Sequence, residues 1–131
     1  MCFGAKNNTF GRFKVEFSGS INAVKLVHLS GTVSCGGNSG AKWACRPAGK
    51  KLRVFITDAS NTTILPRTKN GWYKIPGYNS SSSEIIITDF PNPLYLSAGH
   101  DLRLWFGGDL FDHNEDNNNG KVCTNVFVRY L

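Results

Sequence analysis

The sequence predicts an all-β protein: a single-domain antiparallel β-sandwich of jelly-roll type that spans residues 1–131. Two observations lead to this prediction. Short runs in which apolar residues occupy every second position recur along the chain, as they do in half-buried strands. Prolines, glycines and serine or asparagine clusters separate these runs, and no segment of about ten residues or more has the 3.6-residue apolar period of a helix. A closed barrel is the alternative architecture.

The predicted strands follow one another at close spacing. In chain order they cover residues 13–17, 24–29, 32–35, 52–57, 62–65, 72–75, 84–88, 94–96, 101–106 and 122–131. Ser30 and Gly31 are expected to turn the chain between the second and third strands, and Pro76 and Gly77 to end the sixth. No linker or repeat divides the chain, so one domain is expected.

Composition and charge exclude several classes of protein. The chain is 40% hydrophobic and 18% charged, as in folded globular proteins. It carries a formal net charge of +6, but its lysines and arginines are scattered and no nucleic-acid-binding motif is present. Nucleic acid is therefore not an expected partner, whereas attraction to polyanions such as sulfated glycans is allowed. No apolar run is long enough for a transmembrane segment, and the first residues lack an apolar signal core.

The four cysteines predict two disulfides. Cys35 and Cys45 bracket a short glycine-rich loop, and Cys2 and Cys123 lie near opposite ends of the chain. The expected pairs are Cys35 with Cys45 and Cys2 with Cys123, although three connectivities exist. A zinc site and four free thiols are the alternatives, and the absence of a C-x-x-C pair disfavours zinc. Disulfides in a small β domain predict a secreted, extracellular protein.

An oxygen-rich loop, GGDLFDHNEDNNNG, separates the last two predicted strands. Its carboxylates and amides are the hard ligands that Ca²⁺ prefers. The candidate ligands are four carboxylates and four amides: Asp109, Asp112, Glu115, Asp116, Asn114, Asn117, Asn118 and Asn119. The expected ligands among them are Asp109, Asp112, Asp116, Asn117 and Asn118. The spacing differs from an EF-hand, which is excluded. A solvated turn without metal is the alternative, because Asn and Asp cap their own backbone and tolerate positive φ.

The stretch 109–128, DLFDHNEDNNNGKVCTNVFV, resembles the end of small calcium-dependent galactose-binding lectins of the bacterial soluble type. Those lectins are jelly-roll sandwiches in which an Asp, two Asn side chains and backbone carbonyls hold Ca²⁺ and sugar hydroxyls complete its shell. The resemblance implies that Asp109, Asn117 and Asn118 are ligands and that Gly120 is the turn glycine. The loop is one residue longer here and has additional carboxylates.

The whole chain also resembles a secreted domain of corals, anemones and hydroids. The matching motifs are GWYKIPGY at 71–78, LRLWFGGDL at 102–110 and NNNGKVC at 117–123. This resemblance implies an extracellular location and paired cysteines, without a settled function. Asn117 stands where that pattern has Asp, which lowers the charge of a calcium site.

Aromatic residues close to predicted loops could cover the apolar face of a sugar ring. The candidates for sugar contact are Trp72, Tyr73, Tyr78 and Trp43, together with His113 in the acidic loop. The alternative is that each Trp is a core residue, as is common in small β domains. Trp105 is ambiguous, since alternation turns it outward with Arg103 if Leu102 and Leu104 face inward.

The sequence contains no catalytic constellation. His28, His100 and His113 are dispersed, and neither G-x-S-x-G nor H-E-x-x-H occurs. A non-enzymatic, calcium-dependent lectin that binds galactose-type or other hexose glycans is therefore expected, and a homo-oligomer is left open. The alternatives are a structural or matrix-interaction domain without a sugar site and, third, a membrane-active toxin.

Overall fold

The computed structural model describes residues 1–36, 40–68, 70–88, 92–111 and 118–131. Within these residues the chain folds into two antiparallel sheets. The first sheet has the order β1, β9, β3, β6, with β7 also paired to β3. Its strands are β1 (Cys2–Gly4), β3 (Gly19–Cys35), β6 (Glu84–Ile87), β7 (Leu94–Leu96) and β9 (Asn118–Tyr130).

The second sheet has the order β2, β8, β4, β5. Its strands are β2 (Gly11–Lys14), β4 (Val54–Thr57), β5 (Thr63–Leu65) and β8 (Asp101–Phe106). A single helical turn, α1 (Gly107–Leu110), follows β8 directly. No helix in the described part of the chain has the length and apolar character needed to cross a membrane.

The core lies between the two sheets. Inward-facing residues of the first sheet, such as Ile21, Leu26 and Ile85, are fully buried in one cluster with Leu102 and Leu104 of the second. Such burial follows from the two-residue period, which directs alternate side chains of each strand to the same face. The predicted all-β antiparallel sandwich is therefore confirmed.

The longest strand differs from its prediction. The segments 24–29 and 32–35 belong to one strand, β3, which pairs with β9 from Ile21 to Cys35. Ser30 and Gly31 do not turn the chain: the pairing register shifts between His28 and Ser30, as in a β-bulge. Gly31 has a φ of +82°, and its Cα lies against the backbone of β9. Because both segments pair with the long strand β9, Ser30 and Gly31 cause an irregularity within β3 and not a turn.

Other segments also differ from the prediction: β9 begins at Asn118 and not at residue 122, and β4 begins at Val54 and not at residue 52. Residues 72–75 form no strand, and only Tyr73 pairs, in an isolated antiparallel bridge with Leu52. The strand predicted at 13–17 covers Gly11–Lys14 instead. β1 was not predicted, because Cys2, Phe3 and Gly4 do not alternate between apolar and polar residues.

The predicted disulfides are confirmed. Cys2 pairs with Cys123 and Cys35 with Cys45. Cys2 and Cys123 are also directly opposite each other in the pairing of β1 with β9, so the covalent bond and the strand ladder fasten the same pair of segments.

Candidate functional site

Asp109, the first predicted calcium ligand, lies in α1, where the chain leaves β8 and enters the acidic loop. Its side chain is 1% exposed. The carboxylate accepts hydrogen bonds from two consecutive backbone N–H groups, that of Asn8 to Oδ1 at 2.8 Å and that of Thr9 to Oδ2 at 2.9 Å. These bonds connect the start of the acidic loop to the segment that follows β1.

The segment that receives Asp109 has a conformation its sequence favours. Asn7 and Asn8 both have positive φ, 65° and 56°, and asparagine tolerates this region better than most residues. The Thr9 hydroxyl donates to the Lys6 carbonyl at 2.6 Å, and Gly4 N–H donates to the Thr9 carbonyl at 2.7 Å. The resulting tight loop directs its N–H groups towards Asp109. The pair of asparagines was the available signal for this loop, which sequence reasoning missed.

Asn118, at the other end of the acidic loop, is the first residue of β9 and is 3% exposed. Its Nδ2 lies 3.4 Å from the carbonyl oxygen of Ala5. The amide packs on Gly108, where a Cβ would lie only 2.8 Å from Nδ2. Asp109 and Asn118 are therefore buried polar side chains that hold the ends of the acidic loop against the segment 5–9.

The remaining residues of the predicted site lie outside the described part of the chain. These are Asp112, Asp116 and Asn117, which were predicted as metal ligands, and His113, which was predicted to contact sugar. Among the residues that the structure does describe, no three Asp, Glu, His or Cys side chains gather closely enough to hold a metal ion. The composition of the acidic loop therefore remains the basis of the ion prediction.

Asp109 and Asn118 fit a hard cation. Asp109 is a buried carboxylate, and no Lys, Arg or His of the described residues forms an ion pair with it. Buried carboxylates usually have a cationic partner or a metal ion. Each of its oxygens accepts one N–H and keeps further acceptor capacity. Asp109 and Asn118 would supply two of the six to eight oxygens that Ca²⁺ takes, so residues 112–117 would have to supply others.

Two of the predicted sugar-contacting aromatics must be reassigned to the core. The Trp43 side chain is fully buried, and its Nε1 donates to the Ser82 carbonyl at 2.7 Å. Tyr73 is 9% exposed and donates its hydroxyl to the Val54 carbonyl at 2.6 Å. Burial raises the pKa of the Tyr73 phenol well above its ordinary value. The bridge to Leu52 turns Tyr73 inward, so neither ring has a face open to a sugar.

Trp72 and Tyr78 are half-buried and remain accessible in part. Tyr78 follows a turn in which its N–H donates to the Ile75 carbonyl at 3.1 Å. The Trp72 ring has the Lys51 ammonium over it, with Nζ 4.4 Å from the ring centroid. Trp105, which was ambiguous, is 2% exposed because Phe10 covers it at a centroid distance of 4.7 Å.

A groove of about 430 Å³ lies beside the loop that binds Asp109. It runs between residues 2–10 and the start of β9, and its walls include Asn7, Thr9, Phe10, Asn119 and Lys121. Sequence reasoning did not find it, because its two sides are more than a hundred residues apart and meet only through the pairing of β1 with β9.

No model of a known protein family matches the chain, and no curated protein sequence matches it. A solved structure does match: AJLec from the sea anemone Anthopleura japonica superposes with a TM-score of 0.89 at 33% sequence identity. The alignment covers 99% of this chain and 92% of AJLec. AJLec comes from a sea anemone, which agrees with the predicted resemblance to a domain of corals, anemones and hydroids. The likeness to the bacterial lectin motif stays a prediction. By its identity and coverage, the chain belongs to the same protein family as AJLec of Anthopleura japonica.

Proposed function

We propose that this protein is a secreted, calcium-dependent carbohydrate-binding protein whose site forms around the acidic loop. Asp109 and Asn118 would hold the ion at the two ends of the loop, with Asp112, Asp116 and Asn117 as further ligands. The proposed ligand is a glycan with galactose or another hexose.

The observation that carries this proposal is the buried Asp109 carboxylate, which has no cationic partner among the described residues although it begins a loop rich in oxygen ligands. The name of the relative AJLec points to a lectin and supports the same class. The two disulfides favour an oxidising, extracellular setting. We also propose that the protein binds glycans without catalysing a reaction, since the name of its relative AJLec points to a lectin.

A bound calcium ion would supply positions at which two vicinal sugar hydroxyls can replace water. The chain's own residues would orient the sugar. Trp72 and Tyr78, which are half-buried, and His113 are the remaining candidates for ring contact, while carboxylates of the loop would accept hydrogen bonds from the hydroxyls. The fastening of Asp109 by Asn8 and Thr9 would hold its oxygens in place before the ion arrives, which reduces the ordering cost of binding.

The second candidate is a structural domain without a sugar site. The hydrogen bonds that support it are the same ones: Asp109 to Asn8 and Thr9, and Asn118 to Ala5, would fasten the sandwich even without metal. The two functions differ in what calcium and sugar do to stability, because a ligand that binds only the folded state must raise its free energy of unfolding.

Thermal unfolding separates the calcium-dependent lectin from the structural domain without a sugar site. The wild-type protein is heated in calcium, in chelator, in calcium with galactose and in calcium with mannose. We expect Tm to rise with calcium and to rise further with one of the sugars. A rise with calcium and no sugar increment supports the structural candidate, and no response to calcium overturns the calcium-dependent function.

A matched pair of variants tests the role of Asp109. Asp58 also accepts two backbone N–H groups, from Ser60 and Thr62, but it lies in a different turn. D109N and D58N both weaken such bonds. We expect D109N to lose most of the calcium increment in Tm and D58N to keep it. Equal increments in the two variants would show that Asp109 is not a calcium ligand.

A further inference from the structure

Two paired segments place three basic side chains and an indole near the start of the acidic loop: Lys51, Arg53, Lys74 and Trp72, here called the Trp72 cluster. It arises from the bridge between Leu52 and Tyr73, whose backbones exchange hydrogen bonds of 2.7 and 2.9 Å. Antiparallel pairing at this bridge sets Lys51 opposite Lys74 and Arg53 opposite Trp72. Leu52 and Tyr73 point into the core, so their neighbours point outward.

Both ammonium groups lie near the indole of Trp72. Nζ of Lys51 lies 4.4 Å and Nζ of Lys74 5.8 Å from the ring centroid. Cation–π attraction offsets part of the repulsion between the two charges. Trp72 therefore acts here as a support for two lysines, and the ring face under Lys51 is not open to stack on a sugar.

Among the described residues, the two lysines have no carboxylate partner. Both are exposed, and no carboxylate from the described ranges lies within ion-pair distance of either. Like charges directly opposite each other on paired segments are destabilising. Half-buried Arg53 adds a third positive charge at the next position. A bound anion would remove this repulsion and gain charge-assisted hydrogen bonds from both ammonium groups.

The Trp72 cluster adjoins the turn that leads into the acidic loop. The Arg53 carbonyl accepts a hydrogen bond from Gly107 N–H at 2.6 Å. A Cβ on Gly71, which precedes Trp72, would lie 3.8 Å from the ring of Phe111, which lies in the first, described part of the acidic loop. A saccharide held at the loop would thus have a basic surface beside it.

We propose that the Trp72 cluster is an anion subsite that binds the sulfate group of a sulfated saccharide whose sugar ring lies at the acidic loop. The saccharide part of this ligand rests on the proposed function. Sulfate suits the cluster because two compact ammonium charges bind a tetrahedral oxyanion without the planar, bidentate geometry by which arginine selects carboxylates. A sulfate ester is also fully ionised, so its attraction persists over the physiological pH range.

Calorimetry tests this with three oligosaccharides of equal length: a sulfated galactan, its desulfated counterpart and an oligogalacturonate. They are titrated into wild type, K51A/K74A and the matched control K14A/K25A, which also removes two positive charges. At low salt, with calcium present, we expect wild type to bind the sulfated galactan about tenfold more tightly than the desulfated one. K51A/K74A should lose this difference, and K14A/K25A should keep it.

Equal affinity of wild type for the sulfated and desulfated galactans overturns the proposal. An equal loss of affinity in K51A/K74A and K14A/K25A also overturns it, because that loss would reflect net charge alone. Oligogalacturonate binding as tight as that of the sulfated galactan overturns it as well. Repeating the titrations in chelator separates the two proposals. If only the calcium site is wrong, the desulfated galactan does not bind in either condition, while the sulfated one still binds through Lys51 and Lys74.

Discussion

Oδ2 of Asp109 lies 2.9 Å from the backbone nitrogen of Thr9, a residue 100 positions away in sequence. With the parallel bond from Asn8, this contact makes one buried carboxylate the connection between the N-terminal loop and the acidic loop. The same residue is thus both the fastening of the site and its first predicted ligand.

Replacing Asp109 with alanine should release the segment 5–9 even when no calcium is present. The change leaves two backbone N–H groups without their acceptor, and each such loss costs about 1–3 kcal/mol. Hydrogen exchange in chelator should show the amides of Asn8 and Thr9 losing protection, while those of Ser60 and Thr62, which Asp58 caps, stay unchanged. Retained protection at Asn8 and Thr9 would contradict the fastening role.

Gly120 should tolerate a side chain far less well than Gly77. Both have positive φ, +93° and +85°, so an alanine at either position costs about 1 kcal/mol in backbone strain. A Cβ at Gly120 would also lie 2.2 Å from the Thr32 carbonyl oxygen, whereas nothing lies within 4 Å of one at Gly77. Urea denaturation should give a loss of about 3 kcal/mol or more for G120A against about 1 for G77A. Equal losses would argue against the close approach of β3 and β9.

Phe10 should act as the cover of Trp105. Its ring lies 4.7 Å from the indole and has the Arg103 guanidinium 4.2 Å from its own centroid. F10A removes that cover and should cost about 2 kcal/mol, since Phe10 is half-buried and not fully buried. Tryptophan emission should shift to the red and become more accessible to acrylamide. The control F127A removes a ring that is 52% exposed and should change neither property, and matching spectra for the two variants would exclude the proposed cover.

Tyr73 should make stability fall at alkaline pH. Its folded pKa lies above the unfolded value of 10.0 because burial disfavours the phenolate. The neutral phenol therefore contributes stability that is complete below pH 10 and declines as pH rises towards the folded pKa. The difference in unfolding free energy between wild type and Y73F should decline by about 1.4 kcal/mol per pH unit between pH 10 and the folded pKa. A difference that does not vary with pH would mean that Tyr73 titrates alike in both states.

The two disulfides should contribute unequally to stability. Cys2–Cys123 closes a sequence separation of 121 residues and Cys35–Cys45 one of 10. The chain-entropy model assigns about 5 kcal/mol to the first and about 3 to the second. Urea denaturation of C2A/C123A and C35A/C45A should show the larger loss in the former. The reverse order would indicate that strain or residual structure in the unfolded chain outweighs loop entropy.

Periodicity in the sequence was sufficient for the fold class and for strands with clear alternation. The ranges of β7 and β8 were predicted to the residue, because their apolar positions alternate and Pro or Gly residues bound them. Residues 72–75 alternate as well, but Leu52 is the one residue they bridge to, so no strand forms. Alternation measures which side chains face inward, and it does not determine whether a partner strand lies alongside.

By itself the sequence determined the all-β class and the oxygen-rich loop before the last strand, since each depends on residue type and local spacing. It favoured the two observed disulfides, but three connectivities were open and only the structure selected one. Only the tertiary structure decided that Trp43 and Tyr73 belong to the core, that Asp109 is fastened to Asn8 and Thr9, and that Lys51 and Lys74 both lie near the Trp72 ring. These relationships join positions far apart in the chain. They depend on which strands pair and in which register, and no local pattern records that choice.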